Sequence, residues 1–215
     1  LNKIFNINCT YDNIFDIEQK ITELKNNTQT FWKYLLSPLN KYIINKHISR
    51  NLDIIGHEQY NARILLDTIN PESSLIVSFI DKKTDTNTKV LSIIKEDIFI
   101  SGCSFVFGAS KMNGNEIIVS SYHFEQSEYS NLLTKIIIHE FGHSLGIEHC
   151  RERRCVFAGI MSKEELVEHP YLPCLECNAK IAVANDRSLL EQITSINHLS
   201  MNDQKYDEII ELLQN

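Results

Sequence analysis

The sequence predicts one α/β (α+β) domain, and three observations predict it. Four short runs rich in β-branched and aromatic residues, Leu75–Ile80, Val90–Ile94, Phe105–Phe107 and Glu116–Ser121, read as a sheet of about four strands. Helical apolar spacing runs through residues 57–69 and again through Leu133, Ile136, Ile137, Phe141 and Leu145, with Ser130 as the expected N-cap of the second helix. Two more helical patterns, about Arg187–Ile196 and Asn202–Leu213, close the chain and are assigned to packing. Ahead of the sheet, Ile14, Ile17, Ile21 and Leu24 stand at helical spacing. Phe31–Leu36 is an apolar cluster that ends at Ser37-Pro38 and reads as core. The polar stretch Asp81–Lys89 reads as a loop.

Composition narrows the function classes. A chain of 215 residues forms one domain with a sizeable core, and 43% hydrophobic with 23% charged residues is a globular balance. With 21 basic and 28 acidic residues the net charge is −7, which argues against nucleic acid or an anionic membrane as partner. The cluster Arg151-Glu152-Arg153-Arg154 reads as a solvated loop. No run of eighteen apolar residues exists, so no transmembrane helix is expected. The expected setting is cytoplasmic and the expected state a monomer. The first residue is Leu1, and any targeting segment ahead of it would lie outside the sequence.

The segment His139-Glu140-Phe141-Gly142-His143-Ser144-Leu145-Gly146-Ile147-Glu148-His149 carries the chemistry, in the order H-E-x-x-H-x-x-G-x-x-H. Residues four apart on an α-helix lie about 40° apart around its axis, so His139 and His143 share a face. Two imidazole nitrogens can then meet one zinc ion at about 2.0–2.1 Å. Glu140 directly follows the first ligand, the position of a general base that deprotonates metal-bound water. Gly146 supplies the left-handed helix end that brings His149 back as third ligand. His47, His57, His123, His169 and His198 stand outside this spacing and read as surface or core residues. His123 is the one whose position after a strand could border a cleft.

Six cysteines occur, and four of them, Cys150, Cys155, Cys174 and Cys177, fall within twenty-eight residues directly after the third histidine. Two close pairs separated by eighteen residues have the spacing of a structural four-cysteine zinc site. A closed thiolate set leaves no position for water, so such a site stabilises fold. Two disulfides and a redox C-x-x-C are the other readings of the same residues. Cys9 and Cys103 read as buried thiols.

The joint pattern of the histidine motif, the adjoining Cys150, Cys155 after four residues and the C-x-x-C pair resembles that of the archaemetzincins. Glu58–Ala62 resembles that family's N-terminal helix signature, and Ser104–Ala109 its strand-and-turn segment. With Ile93–Asp97 between them, the resemblance spans about residues 55–180. It implies a metzincin-like sandwich, with residues 1–146 as an N-terminal subdomain ending in the active-site helix and 147–215 as a C-terminal subdomain. It also implies two zinc ions, a catalytic one on His139, His143 and His149 and a structural one on Cys150, Cys155, Cys174 and Cys177. The implied activity is hydrolysis of a peptide or protein substrate by zinc-bound water that Glu140 activates. Aminopeptidase action would need an acidic group for the substrate's ammonium, Glu148 or Glu152.

The resemblance implies further that an edge strand borders the cleft and pairs with extended substrate, for which Ile117–Ser121 is the candidate and an interior strand the alternative. One departure stands out. Metzincins place a Met in a turn below the zinc, and here the matching position is Phe157, with Met161 four residues later. Either residue would form the floor. The competing functional class is a non-catalytic zinc-binding module that holds a peptide or partner.

Overall fold

The structure, a computed structural model, describes residues 57–67 and 89–196 in full, residue 197 by its backbone, and strands at 8–10, 49–51, 75–79 and 87–88 by their backbone pairing. The patterns expected at 14–24, 31–36 and 202–213, most of the loop before Lys89, and His47 and His198 lie outside the described residues. Eight strands are described: β1 (Asn8–Thr10), β2 (Ser49–Asn51), β3 (Glu58–Asn61), β4 (Leu75–Phe79), β5 (Asn87–Ile94), β6 (Asp97–Phe99), β7 (Gly108–Ser110) and β8 (Glu116–Ser120). Five helices accompany them: α1 (Ala62–Leu66), α2 (Tyr129–Ser144), α3 (Lys163–Glu168), α4 (Leu175–Ala184) and α5 (Leu189–Asn197).

The main sheet has the order β1-β4-β5-β8-β7, with β5 and β8 parallel and the other neighbours antiparallel. A smaller sheet runs β2-β3-β6, and β3 is parallel to β6. The fold class is therefore the mixed α/β expected, with a second sheet the sequence did not announce. In β8, Ile117, Ile118 and Val119 are all fully buried, because Ile117 and Val119 face α2 while Ile118 packs with α1 on the opposite side. An unbroken apolar run of this kind marks a strand covered on both faces. The edge-strand candidate Ile117–Ser121 is thus corrected: β8 is interior, and β7 forms the edge among the described strands.

Other expectations shift as well. Phe105–Phe107 forms no strand, only a single bridge from Val106 to Ile98, since Gly108–Ser110 takes the place beside β8. The helix expected over 57–69 is a strand for its first part. Asn61 then turns the chain into α1 as its N-cap, accepting from the Arg63 N–H at 3.1 Å. Ser130 lies inside α2, which starts at Tyr129 without a side-chain cap. Leu133, Ile137 and Leu145 are partly buried, while Leu132, Lys135 and Ile138 are buried, so the helix is enclosed on more sides than its expected stripe. Cys103 is exposed rather than buried. No helix among the described residues is long and apolar enough to cross a membrane.

Candidate metal centre and active site

The catalytic-type motif sits on the last turns of α2 and the loop that follows. The helix ends as glycine at 146 requires. Gly146 has φ +85°, its N–H bonds the His143 carbonyl at 2.9 Å, and the Ile147 N–H bonds the Gly142 carbonyl at 3.0 Å. The buried Lys89 ammonium donates to the Ser144 carbonyl at 2.8 Å and to Gly114 at 2.6 Å, and the Asn113 N–H reaches the His143 carbonyl at 3.3 Å. All three last carbonyls thereby find donors. The reversal also aims the Ile147 carbonyl back at the helix, where it accepts from His143 Nδ1 at 2.6 Å.

His139 is fixed the same way by the Val156 carbonyl, 2.7 Å from its Nδ1. With both Nδ1 atoms donating, the two Nε2 atoms carry lone pairs, and they face each other 3.0 Å apart. Two acceptors so placed call for a cation between them. Tetrahedral zinc at 2.0–2.1 Å would hold its ligands about 3.3 Å apart, close to the separation seen. His149 completes the set, with one ring nitrogen from each of the three residues within 4.8 Å of the others. Burial, first, and then the neighbouring imidazoles push His139 down to about 3, and burial likewise lowers His143. Both are neutral at pH 7, the form that binds metal. His139 is buried, His143 half-buried and His149 exposed, so the group opens on its His149 side.

Glu140 lies beside them in a closed environment. Burial raises its carboxyl to about 7, against the opposing effect of a hydrogen bond from the Ser110 hydroxyl at 2.8 Å. The small residues of β7 are what let α2 come so near. A Cβ on Gly108 would stand 2.7 Å from Glu140 Cγ and 3.0 Å from Ile136. Beneath the histidines lies Phe157, fully buried, with its ring centroid 6.3 Å from that of His139, whereas Met161 is 83% exposed. Phe157 is the floor of the site.

The four cysteines also converge, one sulfur from each lying within 4.8 Å of the rest. Cys150 and Cys174 Sγ are 3.7 Å apart, far beyond a disulfide and close to the roughly 3.8 Å edge of a tetrahedron with Zn–S of 2.3 Å. Cys174 opens α4 and Cys177 sits in its first turn, where the helix N-terminus favours thiolate. Hydrogen bonds from the Cys177 side chain first, and from backbone N–H groups, hold Cys155 down at about 6. Burial pushes Cys174 up to about 11, and Cys177, which keeps its proton and donates a hydrogen bond to Cys155, is raised as well. The charge of Cys155 adds to the rise of both Cys174 and Cys177.

Other singled-out residues lie elsewhere. His57 and His123 both pair with the buried Asp97, at 2.7 and 2.9 Å, and Gln59 donates to the same carboxylate at 2.6 Å. Burial alone would raise Asp97, but these bonds outweigh it and hold the carboxyl below its usual range. Around the same carboxylate, Tyr60 donates to Glu58 and Tyr122 stacks on His57. His169 is buried and meets the Val156 carbonyl at 3.2 Å, sharing the acceptor of His139. Residues 151–154 form an exposed loop, as expected. The parts missed from sequence are Ser110 and the Val156 and Ile147 carbonyls. A backbone acceptor leaves no residue signature, and a serine in a Gly-Ala-Ser run leaves only a weak one.

A mixed sheet laid against a helix that presents H-E-x-x-H, closed by a third histidine after a glycine turn, defines the zincin class of fold. The model of peptidase family M54 matches residues 49–182, and the chain belongs to that family, the archaemetzincins. The archaemetzincin of Nanoarchaeum equitans is 31% identical over 163 residues, covering 72% of this chain and 85% of its own. That of Methanopyrus kandleri is 32% identical over 103 residues, 46% of this chain and 53% of its own. A solved archaemetzincin structure from Methanopyrus kandleri shares the fold at a TM-score of 0.51 and 23% identity, over 82% of this chain and 92% of that one. The chain spans between half and three-fifths of the length of several curated relatives it matches.

Proposed function

We propose that this chain is a zinc metallopeptidase in which His139, His143 and His149 hold a catalytic zinc and Cys150, Cys155, Cys174 and Cys177 a structural one. The observation that carries the proposal is the convergence of three imidazole nitrogens within 4.8 Å of one another, exposed on the His149 side, with the buried Glu140 carboxyl directly following the first of them. A general base works best with a pKa near the operating pH. Zinc bound there would acidify water and polarise a carbonyl. Glu140 takes the proton of the attacking water and passes it to the leaving amine. The closed thiolate set has no open position and serves the fold.

The strand that would receive an extended substrate is β7. Main-chain bonds from the Ser120 N–H to the Phe107 carbonyl and from the Lys111 N–H to the Glu116 carbonyl put residues 107 and 111 toward β8. By the alternation of an antiparallel ladder, the N–H and C=O groups of Gly108 and Ser110 point to the open edge. Such groups read a peptide backbone whatever its side chains. Trimming from an amino end would draw on Glu148, which is exposed next to His149, because the Glu152 carboxylate is engaged by the Arg154 N–H.

A mixed peptide library digested by zinc-loaded wild type beside Glu140→Ala, read by mass spectrometry, tests the proposal. Cleavage by the wild type is expected to fall by about 10²–10⁴-fold in the variant, with zinc content unchanged. The positions of the cuts would separate trimming of ends from internal cleavage. No cuts from zinc-loaded wild type would turn the assignment to the non-catalytic binding module.

A further inference from the structure

We infer that the Ser110 hydroxyl is a positioning group for Glu140, through which the substrate-receiving edge strand sets the orientation of the base. The inference rests on the assignment of Glu140 as base and adds to it a residue that neither the motif nor its spacing contains. Ser110 Oγ donates to Glu140 Oε2 at 2.8 Å, and no other hydrogen bond to that carboxyl is described. One carboxyl oxygen is tied to β7, and the other is left to accept a proton. The neighbouring edge residue acts on the same side chain, since only the absence of a Cβ at Gly108 makes room for Glu140 Cγ.

Register explains why these two residues and not others touch Glu140. Gly108 and Ser110 are two apart, so their side chains share one face of the strand, the face turned to α2. Ala109, on the other face, packs with the cluster around α1. The same alternation sends the main-chain groups of Gly108 and Ser110 to the open edge. Any peptide that pairs with β7 therefore bonds the backbone of the residue whose hydroxyl holds the base. A displacement of about 1 Å in a reacting group can cost on the order of a hundredfold in rate. A glutamate with three side-chain torsions needs a tether to avoid such displacement.

The test compares Ser110→Ala, Ser110→Thr and Glu140→Ala as zinc-loaded full-length proteins, with a peptide that the wild type cleaves. Ser110→Ala is expected to lower kcat by roughly 10- to 100-fold while KM stays within about twofold. Melting temperature and zinc content should match wild type, and Ser110→Thr, which keeps a hydroxyl, should recover most of kcat. A second readout needs no activity. In isotope-edited infrared spectra of metal-free protein, the Glu140 carboxyl band, identified by its loss in Glu140→Ala, should shift in Ser110→Ala and stay in place in Ser110→Thr. An unshifted band, an unchanged kcat, or a fall in kcat accompanied by equal loss of zinc or melting temperature overturns the inference. Full activity in Glu140→Ala would instead remove the base assignment, and with it the positioning role, even if the infrared shift were seen.

Discussion

Replacing Gly142 with alanine sets helix propensity against packing, and the structure says packing wins. Gly142 lies inside α2, where alanine is favoured over glycine by about 1 kcal/mol. Its Cβ, however, would run into the ring of Phe157, with ring carbons at 2.6 and 2.8 Å and one closer still. The ring has little room to retreat. Phe157 is fully buried, its carbonyl accepts from the Cys150 N–H at 2.8 Å, and the Val156 N–H before it is bonded to Leu172 at 3.1 Å. Overpacking of a filled core costs about 1–3 kcal/mol, and more where backbone is pinned. The net expectation is a loss of about 1–2 kcal/mol, which for a chain of this size lowers the melting temperature by roughly 2–8 °C. Movement of Phe157 also draws the Val156 carbonyl away from His139 Nδ1, and losing such a support typically weakens metal binding about 10–100-fold. Thermal melts and competition with a chelating dye would measure both effects. The double variant Gly142→Ala/Phe157→Leu should be more stable than the two single losses predict, by about 0.5–3 kcal/mol of coupling. A higher melting temperature in Gly142→Ala, or strict additivity in the double variant, would refute the reasoning.

Three further outcomes are expected. Gly146→Ala forces a side chain into φ +85° and against Asn113, so it should cost about 1–2 kcal/mol in a thermal melt and weaken zinc at the histidines. Cys174→Ser should lose one zinc equivalent by elemental analysis and lower the melting temperature, while the histidine-bound zinc stays but is released more readily to chelator. Asp97→Asn bears on pH. Because the folded carboxyl lies below its unfolded value, its contribution is present above about pH 4 and lost as pH falls through the folded pKa. The variant should therefore be less stable than wild type at neutral pH, with the gap in melting temperature closing as the pH drops below about 4.

Legibility followed the kind of force involved. The histidine and cysteine sets could be read because metal coordination demands particular residue types at particular spacings, and Gly146 because a left-handed backbone excludes most residues. Strands β4, β5 and β8 could be read from their β-branched runs, but their order could not. Nothing local to Glu116–Ser120 says that Gly108–Ser110 will pair outside it, although its three successive buried residues do mark an interior strand. The small sheet of β2, β3 and β6 was missed because Glu58–Asn61 combines strand pairing with an N-cap, and the helical spacing after it overrode the strand. The cysteine-bearing helix α4 was missed for another reason. Its first turn is defined by where Cys174 and Cys177 must point, not by an amphipathic stripe. As for the site floor, sequence left Phe157 and Met161 open, and only tertiary packing against Gly142 decides between them.

The segment Cys155–Ala158 explains why a domain with an ordinary core carries a four-cysteine set at all. Cys155 belongs to the thiol group, the Val156 carbonyl fixes His139, the Phe157 ring lies under that imidazole, and Ala158 bridges back to Cys150. His149 and Cys150 are consecutive, so the two sites meet twice along the chain, at 149–150 and at 155–156. Between those points run the exposed residues 151–154, which contribute little to packing. Binding of a structural zinc supplies folding free energy on the order of 10 kcal/mol in small domains. Applied here, that energy would immobilise the acceptor and the floor of the histidine site, which are themselves part of the core. An imidazole held at one nitrogen by a carbonyl is only as well aimed as the carbonyl itself. On this argument the thiol set is the outer support of the histidine set, and its loss should be felt first as looser metal at His139.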